Sequence, residues 1–491
     1  MKYSEFLRKK NIVPAGILSA SFLLRAYYVS YISVLKNQHD GGAPWSEGGH
    51  LGYISYFLSG GSLPDFDVRF RDQFWHPPLH YALSAGFLKA VWKVFPGLDG
   101  NFEAVQVLPL LYVTAAMALI GHILYRLIPE KDREARGLAS PGYRAFLLAF
   151  LFVCFQPGLV IRSAFVNNDA LVLLLSVLAL DLAIMWHRNP GAGKILAAAA
   201  AFGLAMSTKK SAALMALPVG FLFADRFFRT VKERGRTGKL LGQFALFLAA
   251  AVPLSLWWYV RNRVLYGVPF DFIWIIDAPE TYEAYLGDIP ALQRLLDFRP
   301  VHFTYYNTYM QYGRGDAQDI NPLIAFWKTA ASDLWSWSYA DGRVKKLSYA
   351  LFILRTLTVT AAAVFGIPAL LFRMRGKREE DAENKEWISL LLLFASQLAS
   401  FYVFSFRFPF VWSMDYRYVE VILAAEAAFV LSVLITGEGA EKEPGSGIPG
   451  PRGKTFARTA MRLVRGGIAA LVLLSAAVCV LFFITARMQF V

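Results

Sequence analysis

The run HDGGAPWSEGGH sets two carboxylates, Asp40 and Glu47, between two histidines, His39 and His50; His76, His80, Asp65, Asp67 and Asp72 follow before position 81. Titratable side chains are thus concentrated in one short stretch. A carboxylate shielded from water by aromatic neighbours such as Trp45 and Trp75 can serve as a general base toward a hydroxyl. Glu47 and His50 are three residues apart, one face of a helix if a helix starts near Ser46, whose hydroxyl suits its cap. The competing reading is a solvated, capped loop with no chemistry. Imidazoles and carboxylates also raise metal binding, with Glu47, His50 and Asp169 as the set and Mg²⁺ or Mn²⁺ as the open divalent cation. No HExxH or other tight ligand spacing supports it.

A second candidate is Asn167-Asn168-Asp169, which opens an apolar run. Asp169 can cap a helix there, but a charge at a membrane boundary is also a candidate for function. A third group is cationic: Arg162, Lys209, Lys210, Arg261, Arg263 and Arg417 all stand near the ends of apolar runs. Such groups either snorkel to lipid headgroups or hold a phosphate at that depth and stabilise charge developing on it. Arg25, inside an apolar run, calls for a partner within a bundle.

The elements that must position these residues are membrane helices. Of 491 residues 56% are hydrophobic, and the mean hydropathy is +0.41, more apolar surface than a soluble core of this size hides. Runs long enough to cross the bilayer lie near 12–33, 105–125, 145–161, 170–186, 195–207, 211–225, 240–260, 348–372, 387–405, 418–436 and 466–486, an all-α polytopic protein of about eleven spans. The net charge of +14 does not point to nucleic acid, because six segments between spans (1–10, 126–144, 187–194, 226–239, 373–385 and 437–465) hold 28 of the 50 Lys and Arg. Placing all six in the cytoplasm satisfies the positive-inside rule, with the N-terminus inside and the C-terminus outside. The fifth and sixth runs, parted by Ser207, Thr208, Lys209 and Lys210, are the least distinct pair.

This topology leaves two long outer segments, 34–104 and 261–347, and long segments with content of their own carry function. Residues 77–95 are apolar, but Lys89 and Lys93 suit a helix lying in the interface better than a span. The chain reads as an N-terminal membrane module 1–260 with a catalytic first outer loop, an outer region 261–347, and C-terminal helices 348–491 that include the Gly-, Glu- and Pro-rich linker within 437–465. The run from Ile12 to Val34 is too long for a signal-peptide core. The two cysteines, Cys154 and Cys479, sit in apolar runs and read as inert thiols.

In order, SEGGHLGYISYFLSGGSLPD, WHPPLHY, VNNDAL, WWYVRNRVLYG and DYRYVEVI resemble polytopic glycosyltransferases of the GT-C fold, closest to family 39, which includes protein O-mannosyltransferases and lipid A aminoarabinose transferases. The resemblance implies a GT-C-like bundle with amphipathic helices in the first outer loop and a long outer loop between spans 7 and 8. It implies transfer of a sugar from a polyprenyl-phosphate donor to the hydroxyl of a glycan, lipid or protein acceptor on the outer face of the cell membrane, with inversion. The family's acidic pair appears as Ser46-Glu47, so the base is either Glu47 or Asp40, and the second acidic position matches Asp169. His76 matches the HPP element, and Arg261 and Arg417 match recurrent basic positions. The implied substrate and donor-phosphate set is His50, His76, Arg162, Lys209, Lys210, Arg261, Arg417 and Tyr418.

A transporter or flippase of lipid-linked glycans would also have many helices and outer cations, but it calls for ionisable groups at the bilayer midplane, whereas these cluster at the outer surface. A metal-dependent membrane hydrolase would depend on His39, His50 or His76. No P-loop or dinucleotide fingerprint is present. Trp274, Tyr305, Tyr306, Tyr309, Tyr312, Trp335 and Trp337 suit either stacking on a sugar or an interfacial belt.

Overall fold

The computed structural model describes residues 12–36, 38–60, 62–135, 138–233, 235, 237–274, 278–282, 284–305, 319–332, 342–375, 382–435 and 452–487. Tyr306, Tyr309, Tyr312, Trp335, Trp337 and most of the 437–453 linker lie outside them. Among the described residues the secondary structure is helical, with one isolated antiparallel bridge, Tyr285 to Phe410. Among the described residues nine helices are long and apolar enough to cross a membrane. Two shorter apolar helices, Pro141–Cys154 and Ala192–Met206, stand where the third and fifth spans are expected. This is a multi-pass membrane protein.

Boundaries shift where the backbone has a reason to stop. The third run ends as a helix at Cys154 rather than near 161, because Pro157 lacks an N–H and instead opens a separate short helix, Pro157–Arg162. The fifth and sixth runs are two helices: Ala192–Met206 stops, Lys209 is extended, and a 3₁₀ turn, Lys210–Met215, starts the next span. That break sets two adjacent lysines at the mouth of the bundle.

Packing relies on small residues. A Cβ on Gly203 would meet Leu254 at 2.5 Å, so Ala192–Met206 lies close against Thr237–Tyr266, and one on Gly366 would meet the Phe429 carbonyl oxygen at 2.6 Å. The helix Leu423–Ile435 is apolar around nearly its whole circumference and buried from Leu423 to Leu434, as befits a central post. Arg25 finds neutral partners, the Cys154 carbonyl at 3.3 Å and the Ser21 hydroxyl at 3.2 Å.

In the segment between the first two spans two helices, Gly49–Ser59 and Leu79–Val94, pack on each other through an aromatic core in which Tyr53 stacks on Phe74 at 4.0 Å and on Tyr81 at 4.1 Å. The expected 77–95 helix is therefore present, with His80, Tyr81, Ser84, Ala85 and Leu88 on its buried face.

Candidate active site

The loop ahead of Gly49–Ser59 folds back on itself. Asp40, Gly42 and Gly49 all have positive φ (52°, 61° and 79°), and the His50 and Leu51 amides donate to the carbonyls of Asp40 (3.0 Å) and Gly41 (2.8 Å). This geometry departs from the helix expected near Ser46. The helix starts at Gly49 with Gly48 as its cap and no side-chain cap bond. Ser46 instead closes a turn, its hydroxyl accepting from the Ala43 amide at 3.1 Å and donating to the Ala43 carbonyl at 2.7 Å. Glu47 therefore precedes the helix and is exposed, with no hydrogen bond or ion pair among the described residues. Trp45 is 79% exposed, so it does not shield the loop.

Asp40 points the other way. Its Oδ2 lies 3.2 Å from Arg417 Nη2, and Arg417 also donates to the Tyr418 hydroxyl at 3.0 Å and lies 3.4 Å from Asp415. Arg417 is carried on a 3₁₀ segment, Tyr416–Ile422, which Asp415 caps by accepting from the Arg417 amide at 2.9 Å. Burial alone would raise the Asp40 carboxyl, but Arg417, His39 and His50 outweigh it and bring it down to about 2. On the far side of Tyr418, Lys209 forms an ion pair with Asp169. The Tyr418 ring faces both cations, 4.9 Å from the Arg417 guanidinium and 5.4 Å from Lys209 Nζ. Deeper still, Arg162 pairs with Glu420 at 3.5 Å.

Asp169 is the first residue of its helix, Asp169–Arg188, and its amide donates to the Asn167 side-chain oxygen Oδ1 at 3.1 Å. The Asp169 carboxylate is thus not spent on capping. A small cavity opens beneath it, bordered by Asp169, Arg417, Tyr418 and Glu420.

A second cleft lies on the other side of the Lys209–Ser211 turn, walled by Trp75, His76, Tyr259, Phe270 and Phe272, with Lys210 at its edge. Lys210 has no hydrogen bond or ion pair among the described residues, and Trp75 Nε1 and His76 Nδ1 are buried there without partners. His50 donates to or accepts from the Tyr81 hydroxyl at 2.9 Å, its ring 6.3 Å from that of His76. Burial holds both imidazoles neutral, bringing His50 down to about 3 and His76 well below its ordinary value.

The candidate residues therefore separate into groups. Asp40, Asp169, Lys209, Arg417 and Tyr418 form one centre with Arg162 at its floor, while His76 and Lys210 border the adjacent cleft. Arg261 is held by the protein itself, donating to Asn262 Oδ1 at 3.0 Å and to the Pro64 carbonyl, and Arg263 donates to the Gly267 carbonyl. Among the described residues no three His, Cys, Asp or Glu side chains converge to hold a metal ion, so Glu47, His50 and Asp169 do not form the set considered from sequence. Asp415 and Glu420 join the centre without a signal of their own in the sequence, whereas Asp72 belongs to the titratable stretch before position 81. The first two belong to the quoted DYRYVEVI run, where only the basic and phenolic members drew attention. Asp72 is exposed as a residue, yet desolvation of its carboxyl and the nearby Asp40 charge push it up to about 6.

Residues 139–281 match the model of the dolichyl-phosphate-mannose-protein mannosyltransferase family. The resemblance to GT-C glycosyltransferases of family 39 holds. The matched stretch contains Arg162, Asp169, Lys209, Lys210 and Arg261, while Asp40 and Arg417 lie outside it. Among solved structures the chain is similar to ArnT from Cupriavidus metallidurans in the apo state, at 17% identity and TM-score 0.34 over 85% of this chain and 77% of that one. The same enzyme bound to undecaprenyl phosphate gives 15% identity and TM-score 0.36 over 86% and 77%. The archaeal oligosaccharyltransferase AglB from Archaeoglobus fulgidus, in complex with an inhibitory peptide and a dolichol-phosphate, gives 12% identity and TM-score 0.49 over 97% of this chain and 56% of that one. No curated protein matches the chain in sequence. The family match supports the coarse reading of a membrane glycosyltransferase with a lipid-linked donor.

Proposed function

We propose that this protein transfers a sugar from a polyprenyl-phosphate donor to an acceptor hydroxyl at the outer face of the membrane, with inversion at the anomeric carbon. The observation that carries this reading is the unpaired Lys210 in an aromatic cleft, beside the Trp75 and His76 nitrogens that lack partners and one turn from the paired centre at Asp40, Arg417, Asp169 and Lys209. A lipid phosphate supplies what that cleft lacks: an anion for Lys210 and acceptor oxygens for the Trp75 N–H and for a His76 N–H, with apolar walls for the first isoprene units.

In this mechanism the acceptor oxygen attacks the anomeric carbon as the bond from that carbon to the phosphate oxygen breaks. The electron pair leaves with the phosphate, which Lys210 stabilises. Asp40 takes the acceptor proton. Held ionised by Arg417, it is a weak base and acts late, once the attacking oxygen has begun to bond to carbon and its proton has become acidic. Asp169, across Tyr418 from Asp40, favours the positive charge that builds on the sugar. What supports Asp40 over Glu47 is its place in the centre, since Glu47 faces solvent without a partner. No step is routed through a metal ion.

What supports the outer face is the charge pattern: the basic segment 187–194 lies at the opposite end of the Asp169–Arg188 helix from the centre. The test is donor consumption by purified protein with a panel of polyprenyl-phosphate sugars, starting with undecaprenyl- and dolichyl-phosphate carriers. Turnover of at least one donor, lost in Asp40→Asn, is expected. No consumption of any donor in the presence of glycan, lipid and peptide acceptors overturns the reading.

A further inference from the structure

Polar groups without partners are rare inside a membrane bundle, and here three side chains that have none meet a fourth, Glu420, with one carboxylate oxygen left over. The cavity beneath Asp169 is bordered by Ser176, Ser211, Gln397 and Glu420 from four separate elements: the Asp169–Arg188 helix, the Lys210–Met215 turn, the Ala382–Arg407 helix and the Tyr416–Ile422 segment. Gln397 is 2% exposed and sits within a candidate membrane span, yet its amide makes no hydrogen bond among the described residues, and the same holds for the Ser176 and Ser211 hydroxyls. Glu420 spends one oxygen on Arg162 at 3.5 Å, and its Oε2 is buried with no partner. Buried polar groups are ordinarily satisfied, and an uncharged amide at membrane depth has no structural reason to be there unless something in the cavity bonds to it.

Resting on the donor reading above, we propose that this cavity receives the sugar ring of the donor, and that Gln397 and Glu420, with Ser176 and Ser211, read its hydroxyl groups. The chemistry fits a neutral polyhydroxylated ring: an amide offers both donors and an acceptor, the serines offer both roles, and the free carboxylate oxygen accepts from a hydroxyl. Asp169 and Arg417 at the mouth of the cavity place the anomeric carbon at the reacting centre, while the lipid phosphate lies over Lys210. Water can occupy the cavity in the absence of donor, and ring hydroxyls then replace it bond for bond.

The test compares two ligands on the full-length protein in detergent: undecaprenyl phosphate without sugar, and undecaprenyl phosphate carrying glucose, mannose or arabinose. Gln397→Leu is the decisive variant, because it removes the amide without breaking any pair. It should weaken binding of the preferred sugar lipid about tenfold, or reorder the three sugars by as much, and leave bare undecaprenyl phosphate within twofold. Glu420→Gln should shift sugar preference too, although it also strips Arg162 of its counter-charge. Unchanged binding of every lipid by Gln397→Leu overturns the proposal, and so does an equal loss for bare and sugar-bearing lipid. Failure of the donor reading shows differently, as wild-type protein that binds none of the sugar lipids, and this proposal falls with it.

Discussion

Arg417 Nη2 lies 3.2 Å from Asp40 Oδ2, joining residues 377 positions apart and closing the loop after the first span onto the segment that leads into the helix Leu423–Ile435. Both groups are committed to each other in the structure. A donor phosphate or an acceptor hydroxyl entering there must compete with, or insert into, an existing ion pair.

The pair separates the two base candidates. Asp40→Asn keeps the shape and removes the carboxylate, so donor turnover should fall by about 10²–10⁴, the share a general base supplies. Glu47→Gln, at an exposed position without partners, should cost less than threefold. Steady-state consumption of the same donor lipid by both variants decides it, and a larger loss in Glu47→Gln would move the base to Glu47.

The two adjacent lysines should behave differently. Lys210→Ala removes an unpaired cation and should weaken undecaprenyl phosphate binding about tenfold, with little change in melting temperature. Lys209→Ala strands the buried Asp169 carboxylate, and breaking such a pair costs about 3 kcal/mol or more. Thermal melting of both variants, alongside lipid titration, distinguishes them. Equal melting temperatures would mean that the Asp169–Lys209 pair contributes little.

The bundle was legible in the sequence because spanning helices need long apolar runs, and nothing else in a chain looks like them. The pairings were not. Arg162 with Glu420 and Arg417 with Asp40 join segments far apart in the chain, and a charge's type says nothing of which helix faces it. Gln397 stayed invisible because one uncharged polar residue in an apolar run reads as tolerated noise. The Ser46 cap failed because the Gly48-Gly49 pair takes a conformation that spacing rules built on helices do not anticipate.

Acidification should destabilise the segment between the first two spans. Burial brings His50 down to about 3 and His80 to about 4, and His76 is lowered as well. Their values in the unfolded chain lie near 6.5, so the folded state binds fewer protons; the stability is present above that pH and lost as pH falls through the range down to about 4. Asp40 adds a further loss between about 4 and about 2, since its value is depressed on folding. His302 runs the other way. Burial lowers it, but hydrogen bonds to Asp319 (3.1 Å) and Asp297 (2.8 Å) raise it overall, so its contribution is present below about pH 6.5 and lost as pH rises through its folded value. Melting temperatures at pH 7.5 and pH 5 should show a net fall on acidification, and His80→Leu should fall less. A His80→Leu variant with an unchanged pH slope would refute the assignment.

The glycines of HDGGAPWSEGGH make the sharpest structural prediction. Gly49 has φ of +79°, and a Cβ there would lie 2.7 Å from the Gly42 Cα and amide nitrogen and 2.8 Å from the Gly41 carbonyl oxygen. Backbone, not a flexible side chain, is what it would strike, so the loop must open. The bonds at risk are those from the His50 and Leu51 amides to Asp40 and Gly41, which aim Asp40 at Arg417. An unsuitable φ alone costs about 1–3 kcal/mol, and the clash adds to it. Gly49→Ala should therefore lower the melting temperature and reduce donor turnover to the level of Asp40→Asn. Gly220→Ala is the matched control. It lies in the helix Ala216–Lys232 with nothing within 4 Å of its Cβ, and there alanine should stabilise by about 0.5–1 kcal/mol. If Gly49→Ala melts and turns over as wild type does, Asp40 is not held by this loop.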